Sequence, residues 1–513
     1  MRRTAATLAA AILSLGFVVT SAATTPASGS SFADAVAKIR NGYLGYRVPD
    51  PAAYLRAKAA AKAHAGQQVG SAQPTSPKAP SIGVQWDGLV HPGIQPPDTT
   101  GAVGPNSYIE TVNLDFGIYS RSGVLINQGS LTQLTGSSRS LSDPQILWDN
   151  NDQRFYYVVI TFNSSPHFIE WGFSKDSNPQ SAADFCKYED GFGYGNNLPD
   201  YPKLGNSPRF LLIGSNVFVN EQFYTGSDVA WVNKSSVGPN PISTCPPHSQ
   251  FQTGKFATLK NGNGTKVFTP VPAVNTEPLL ASRAEGWVVG TAPGQSNFLT
   301  VFGVFATPAG PKLSGPFTVS VPTFSAPPNA PECRSGNTLD TLDGRLERAV
   351  ASQDPVHGST DAIWTSHAVA GGAGSEQRWY EINPTVNPPT LLQSGKVTDP
   401  SLYVWNGAVS PDRVVNPSGK AFGGNMVVGF NTSNSTTCPA IQMVSKVGNN
   451  AQSGFVMVKQ SLGPSTDFRW GDYSGASPDP AADLGGTEGN VWLTGEWNSP
   501  NASWLTENWE AIP

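Results

Sequence analysis

Charge is what this sequence has least of. Of 513 residues only 13% are Asp, Glu, Lys or Arg, and the formal net charge is −5. Nucleic acid is thereby excluded as the main partner, because binding a phosphate backbone needs concentrated Lys and Arg. Long apolar runs are also missing: beyond the N-terminus no stretch approaches the roughly 20 residues of a membrane helix. The six histidines form no HxxxH or HxH cluster and the four cysteines no CxxC, so no transition-metal site announces itself. GxSxG, the P-loop and a GxGxxG after a strand are absent too, which leaves serine-hydrolase and nucleotide chemistry unsupported.

What the chain does have is 53 glycines and 44 prolines, a composition of many turns and short strands. Its N-terminus reads as a secretory signal peptide over residues 1–23. Met1-Arg2-Arg3 supplies the basic start, Ala5 to Thr20 the apolar run and Ser21-Ala22-Ala23 the small-residue cleavage region. Export to an oxidising, extracellular setting makes two disulfides the expected use of Cys186, Cys245, Cys333 and Cys438. Three connectivities are open, and pairing of chain neighbours, Cys186–Cys245 and Cys333–Cys438, is the expectation. The Ala/Thr-rich leader has a bacterial look, so the Asn-x-Ser/Thr triplets carry little weight.

Residues 24–80 stand apart from the rest. "SFADAVAKIRNGYLGYR" predicts a helix starting at Ser31. "DPAAYLRAKAAAKAHAG" predicts a second, with Asp50 as N-cap, Pro51 in the first turn and a stop at Gly66. The polar, Pro-containing "QQVGSAQPTSPKAP" that follows is a linker by composition. The whole segment reads as a propeptide, a spacer or a packed arm.

From residue 81 to 513 the texture is uniform: runs such as "RFYYVVITF", "RFLLIGSNVFV" and "NVWLTGEWN", broken by Gly, Pro, Asn and Asp. These have strand length and strand composition, and none has a helical period. An all-β fold follows. A weak layout recurs every 45–65 residues: a polar Asp or Trp turn, a short stretch, a second turn, then an aromatic–aliphatic strand. Repeats of that size predict the four-stranded blades of a β-propeller. There are seven blades if a diverged unit around 266–320 is counted and six if not; a pair of β-sandwiches is the structural alternative. The terminal "SWLTENWEAIP" and the early "IGVQWDGLV" can complete one blade together and so close the ring.

The motifs "PPDTTGAVGPNSYIETVN", "DPQILWDNNDQRFYYVV", "DYPKLG", "LDTLDGRLERAV", "WNGAVSPD" and "RWGDYSGASPDP" resemble, in that order, a group of secreted, largely uncharacterised bacterial sialidase-like propellers. The resemblance implies a propeller and export, and no settled reaction. The sialidase Ser-x-Asp-x-Gly-x-x-Trp box is missing, with "SRAEGW" at 282–287 a poor echo.

In a propeller, residues at blade starts converge on the central channel. The layout therefore predicts a polar ring of Asp98, Asp143, Asp200 with Lys203, Asp340 or Asp343 with Arg345 and Arg348, Trp405, and Arg469-Trp470 with Asp472 and Tyr473. In a chain so poor in charge, such a ring is costly unless its members pair or serve a ligand. One reading is glycoside hydrolysis, with Asp98, Asp143, Asp200 and Asp472 as candidate acids, bases or nucleophiles. Lys203, Arg345, Arg348 and Arg469 would then bind an anionic sugar, while Trp405, Trp470 and Tyr473 stack on it. By analogy, five-bladed furanosidases place three carboxylates on successive blades, though with Glu where this chain has Asp200. A second reading is structural, with Asp capping turns, Asp–Arg pairs joining blades or a calcium ion in the channel, on a monomer that binds glycans or proteins. A third is a polysaccharide lyase using Tyr473 or His367 as base beside Lys203 and Arg345, although the alternating strand "IWTSHAVA" favours His367 as a core or channel-wall residue. The expected partner in all of these is a polysaccharide or glycoconjugate.

Overall fold

The computed structural model describes residues 31–42, 44–66, 78–277, 284–465, 469–481, 486–499 and 503–513. The expected signal peptide, most of the expected linker and the first two residues of "SRAEGW" lie outside them. Seven blade sheets, six of four strands and one of five, follow one another around a central channel. Their innermost strands are Thr100–Val103 (blade 1), Leu141–Asp149 (blade 2), Asn197–Asn206 (blade 3) and Phe268–Pro272 (blade 4). Arg348–Asp354 (blade 5), Tyr403–Pro411 (blade 6) and Gly475–Pro478 (blade 7) complete the set. Each inner strand touches that of the next blade, and blade 7 returns to blade 1. The diverged unit is therefore a true blade, the fourth. A short strand, Val274–Asn275, crosses from it to pair in parallel with the inner strand of blade 5.

Closure uses both ends of the propeller. Ser81–Asp87 is the outermost strand of blade 7 and pairs antiparallel with Trp504–Ile512, from Ser81 opposite Ile512 to Asp87 opposite Glu507. The last blade thus contains the first strand, which leaves the ring without an open seam.

The burial pattern explains why the sequence shows runs rather than alternation. Second strands such as Arg154–Thr161 are buried at every position because a neighbouring blade covers each face. Outer strands such as Leu125–Ser130 face solvent and are half-buried or exposed throughout. Each of the seven blade interfaces has its own apolar cluster; Leu147, Tyr156 and Val158 against Leu211 and Ile213 join blades 2 and 3. Around the channel the strands approach closely: a Cβ on Gly475 would fall 2.7 Å from the Gly101 backbone nitrogen.

Both disulfides join chain neighbours. Cys186–Cys245 ties the outer strand of blade 2 to a blade 3 loop, and Cys333–Cys438 ties the long blade 4–5 connection to blade 6. Among the described residues no helix is long and apolar enough to cross a membrane.

The arm folds as two helices over the face where the inner strands begin. Helix α1, Phe32–Arg40, is capped by Ser31 in a reciprocal capping box with Asp34. Helix α2, Pro51–His64, starts from Asp50, whose side chain accepts the amides of Ala52 and Ala53. It ends two residues short of Gly66, which lies beyond the C-cap Ala65. Between the helices, Tyr46 and Val48, with Tyr54 of α2, pack on Tyr201, Leu342 and Tyr473 of the propeller.

Candidate functional site

The recurring blade-start motif encodes a strained turn. Asp98, Asp143, Tyr201, Thr269 and Asn406, one each in blades 1, 2, 3, 4 and 6, have φ of 51°, 57°, 57°, 47° and 50°. Non-glycine residues seldom adopt this left-handed region, and Asp and Asn tolerate it best. In blades 2, 3, 4 and 6 the ladder shifts register at the same point. The turn aims the neighbouring polar side chains at the mouth of the channel.

The ring that results is crowded, and its carboxylates fall into two groups. Those of blades 1, 2 and 7 are held by the propeller itself. Asp98 accepts the Asn113 side-chain amide and the Asp472 backbone N–H, both at 2.8 Å. Burial, then the charge of Asp143, pushes its pKa up to about 7. Asp143 is half-buried and accepts the Tyr473 hydroxyl and the Ser142 hydroxyl, each at 2.6 Å. Its own N–H donates to Asn113 Oδ1 at 2.9 Å, so Asn113 bridges the two aspartates. Asp472 pairs with Arg469 at 2.8 Å. Burial works against the Arg469 charge, but Asp472, Asp98 and Asp340 more than offset it and hold the guanidinium cationic.

The second group is met largely by the arm. Asp200 accepts the backbone N–H of Arg47 at 3.1 Å. Its pKa is pushed up to about 6 by burial; Arg47 opposes that and the charge of Asp143 adds to it. Asp340 takes the Tyr46 hydroxyl at 2.6 Å and weaker bonds from Tyr54 and Lys58 at 3.4 Å, besides its own turn amide from Leu342 at 3.1 Å. Arg345 grips Asp343 with two bonds, at 2.7 and 3.0 Å, and donates to the Arg47 carbonyl at 2.9 Å. Its guanidinium lies 4.5 Å from the Tyr46 ring centre and 4.4 Å from that of Tyr201. Gly45 fits where no larger residue could: at φ 77°, an added Cβ would fall 2.4 Å from Arg469 Nη1.

Lys203 has an unusual seat. Its ammonium lies 4.0 and 4.1 Å from the ring centres of Tyr201 and Tyr473, which stack on each other at 4.6 Å. Burial pushes its pKa well below the usual lysine range. Arg348 is buried on the channel wall, and burial draws it down to about 10.

Two sequence expectations need correction, those for Trp405 and Trp470. Trp405 and Trp470 are each 1% exposed and pack edge to face at 6.1 Å, so neither offers a free face to a sugar; both belong to the core. His367 is buried, donates from Nδ1 to the Gly344 carbonyl at 2.8 Å and meets the Tyr380 hydroxyl at 3.0 Å. Burial pushes it down to about 3, so it is a neutral core residue. Sequence reasoning also missed five participants: Asn113, Tyr201, Glu347 and, from the arm, Tyr46 and Arg47. Glu347 lies between the two nominated arginines in "GRLER", and burial raises it to about 8. Nothing in the sequence joins Tyr46 to Asp340, 294 positions away.

The arm does not fill the bowl. Four cavities of about 330, 450, 480 and 280 Å³ each have arm residues on one side and propeller residues on the other. The most polar lining belongs to the 480 Å³ cavity, where Arg47 and Asn41 face His167, Asn196 and Glu221.

No protein-family model matches the chain, and no curated protein matches it either. Among solved structures it is similar to an exo-1,5-alpha-L-arabinanase from a bovine ruminal metagenomic library, with 12% identity and a TM-score of 0.28 over 58% of this chain and 96% of that one. It is similar to a Cellvibrio cellulosa alpha-L-arabinanase at 11% identity and a TM-score of 0.28, over 57% of this chain and 94% of that one. PorZ, a surface component of the Porphyromonas gingivalis type-IX secretion system, matches at 11% identity and a TM-score of 0.30, over 81% of this chain and 51% of PorZ. Scores this low carry no argument about the site, and the blade count rests on this chain's own strand pairing.

Proposed function

We propose that the chain is an exported, monomeric glycoside hydrolase whose site is the channel mouth and whose N-terminal arm covers it. Residues 1–23 are the leader, 24–80 the arm and linker, and 81–513 the propeller. The observation that carries this reading is the placement of Asp143 and Asp200 near the starts of neighbouring inner strands at one channel mouth. They begin neighbouring blades, and the charge of Asp143 contributes to holding Asp200 up to about 6. A carboxyl raised in this way can serve as the acid beside a second carboxyl. Asp200 donates its proton to the glycosidic oxygen, and Asp143, oriented by Tyr473, acts as base or nucleophile. Arg345, held cationic by Asp343, favours an anionic sugar once the arm has left. The Arg47 amide on Asp200 stands where a substrate hydrogen bond would form, so the arm and a glycan compete.

A second reading, a platform that binds glycans or proteins without turnover, is favoured by the way Asp98 and Asp472 are tied into the scaffold. The lyase reading loses its base, since His367 is in the core and Tyr473 donates to Asp143. The experiment is a reducing-end assay on a polysaccharide panel, using the full chain before and after a protease cut engineered within residues 67–77. Turnover should rise after the cut. Asp143→Asn and Asp200→Asn should each lower it by at least about 100-fold with little change in melting temperature. Glycan binding that survives both substitutions, with no reducing ends from any substrate, selects the platform.

A further inference from the structure

The opposite end of the channel has its own chemistry. In blades 2, 5, 6 and 7 the inner strand ends at, or one residue before, an aspartate: Asp149, Asp354, Asp412 and Asp479. Three of these are answered by a fixed donor. Lys234 pairs with Asp149, and both Nη groups of Arg121 meet Asp479. Asp412 accepts the Asn425 side-chain amide at 2.7 Å and the Gly489 N–H at 2.8 Å.

Asp354 breaks this pattern. Its Oδ1 accepts the Val356 amide at 2.8 Å, but its Oδ2 faces His357 Nδ1 where the other blades place a lysine, an arginine or an amide. A second acid then joins it. Glu381, from the third strand of blade 5 (Gly374–Asn383), brings Oε2 within 3.7 Å of the same imidazole nitrogen. Oε2 accepts from Gln393 at 2.5 Å; Oε1 meets no donor although Glu381 is 0% exposed. Two buried acids thus converge on one imidazole nitrogen. Lys446, whose charge acts on both acids, donates to the Gly448 carbonyl.

We propose that Asp354, His357 and Glu381 bind a divalent transition-metal ion of the zinc class at the base of blade 5. One ligand atom from each lies within 4.8 Å of the other two. A tetrahedral zinc site with bonds of about 2.0–2.2 Å places its ligand atoms roughly 3.5 Å apart, a contraction that side-chain rotation can supply. One nitrogen and two carboxylate oxygens suit a borderline cation; calcium wants six to eight oxygens. The His357 side chain is 26% exposed, so the remaining position opens to solvent and takes water. Bound there, the ion pins the 355–359 connection to the body of the blade. The competing arrangement is a proton shared by the two acids beside a protonated His357.

The test uses the full chain stripped with EDTA, titrated with ZnCl2 and with CaCl2 by calorimetry and thermal melting. Zinc should bind at one equivalent and raise the melting temperature by several degrees, and calcium should do neither. Cobalt(II) should give a visible band of a four- or five-coordinate site. His357→Gln and Glu381→Gln should each weaken zinc binding by on the order of 100-fold and remove the cobalt band. The proposal is overturned by the absence of saturable zinc binding, by an equal response to calcium, or by unchanged zinc affinity in His357→Gln. That last variant lies on a partly exposed connection, so it stays informative if Glu381→Gln does not fold.

Discussion

Replacing Tyr46 by phenylalanine isolates the force that holds the arm over the channel. The change removes one oxygen and leaves the ring, so the Arg345 and Arg469 guanidinium groups, 4.5 and 5.3 Å from its centre, keep their contacts. Asp340 Oδ2 loses the hydroxyl that donates to it at 2.6 Å, while Oδ1 keeps the Leu342 amide. A hydrogen bond to a buried charge contributes about 1.5–3 kcal/mol net. At 1.4 kcal/mol per tenfold, arm opening should become about 10- to 150-fold more favourable. Hydrogen exchange of the full chain reads this directly: amides of α2 should exchange faster by that factor and those of the blade 3 strand Phe210–Val219 should not. The effect has a defined pH window. Burial would raise the Asp340 pKa, but Lys58 and Tyr46 outweigh it and hold the group below its ordinary value of 3.8. Stabilisation from a carboxylate lowered in this way is present above about pH 4 and fades as pH falls through the folded value. The contrast between wild type and Tyr46→Phe should therefore be constant from about pH 5 to 8 and shrink below about pH 4. Unchanged α2 exchange, or equal acceleration in every blade, would refute the claim that Asp340 anchors the arm.

Asp98 should show the opposite slope. Its folded value of about 7 exceeds the ordinary 3.8, so ionisation costs the folded state and stability falls as pH climbs between those values. Asp98→Asn should gain melting temperature relative to wild type from pH 4 to 7, and parallel curves would exclude this. Cys333–Cys438 closes a loop of 105 residues, for which chain entropy gives about 4–5 kcal/mol. The paired Ser variant should lose close to that in urea denaturation, and Cys186–Cys245, separated by 59 residues, somewhat less. Trp405→Ala should act as a core deletion of about 3–5 kcal/mol, and a loss of glycan affinity at unchanged stability would restore Trp405 to the ligand face.

Local rules carried the sequence reading a long way. Uninterrupted aromatic–aliphatic runs such as Arg154–Thr161 mark strands covered on both faces, and stacked blades are how a chain covers so many of them. Asp50-Pro51 announced α2 because capping is decided within one turn. The blade-start motif was visible because a left-handed turn restricts which residues can occupy it, and the closing strand because both ends carried strand composition. What those rules could not separate was an aromatic in the core from one on a ligand face. Trp405 and Trp470 sit in polar, turn-rich stretches of sequence, yet each is covered by the other.

The strand content, the repeated blade start and the two arm helices were therefore set by the sequence alone, since each depends on residues close in the chain or on a periodic pattern. Which charges meet was decided only in three dimensions. Asp98 and Asp472 are 374 positions apart and share a hydrogen bond because blade 7 closes on blade 1. Asp200 and Asp340 are covered because a segment from outside the propeller docks on them. Asp354 and Glu381 face each other across one blade with His357 between them. Electrostatic energy depends on distance and burial, and both are properties of the assembled ring, absent from any stretch of sequence.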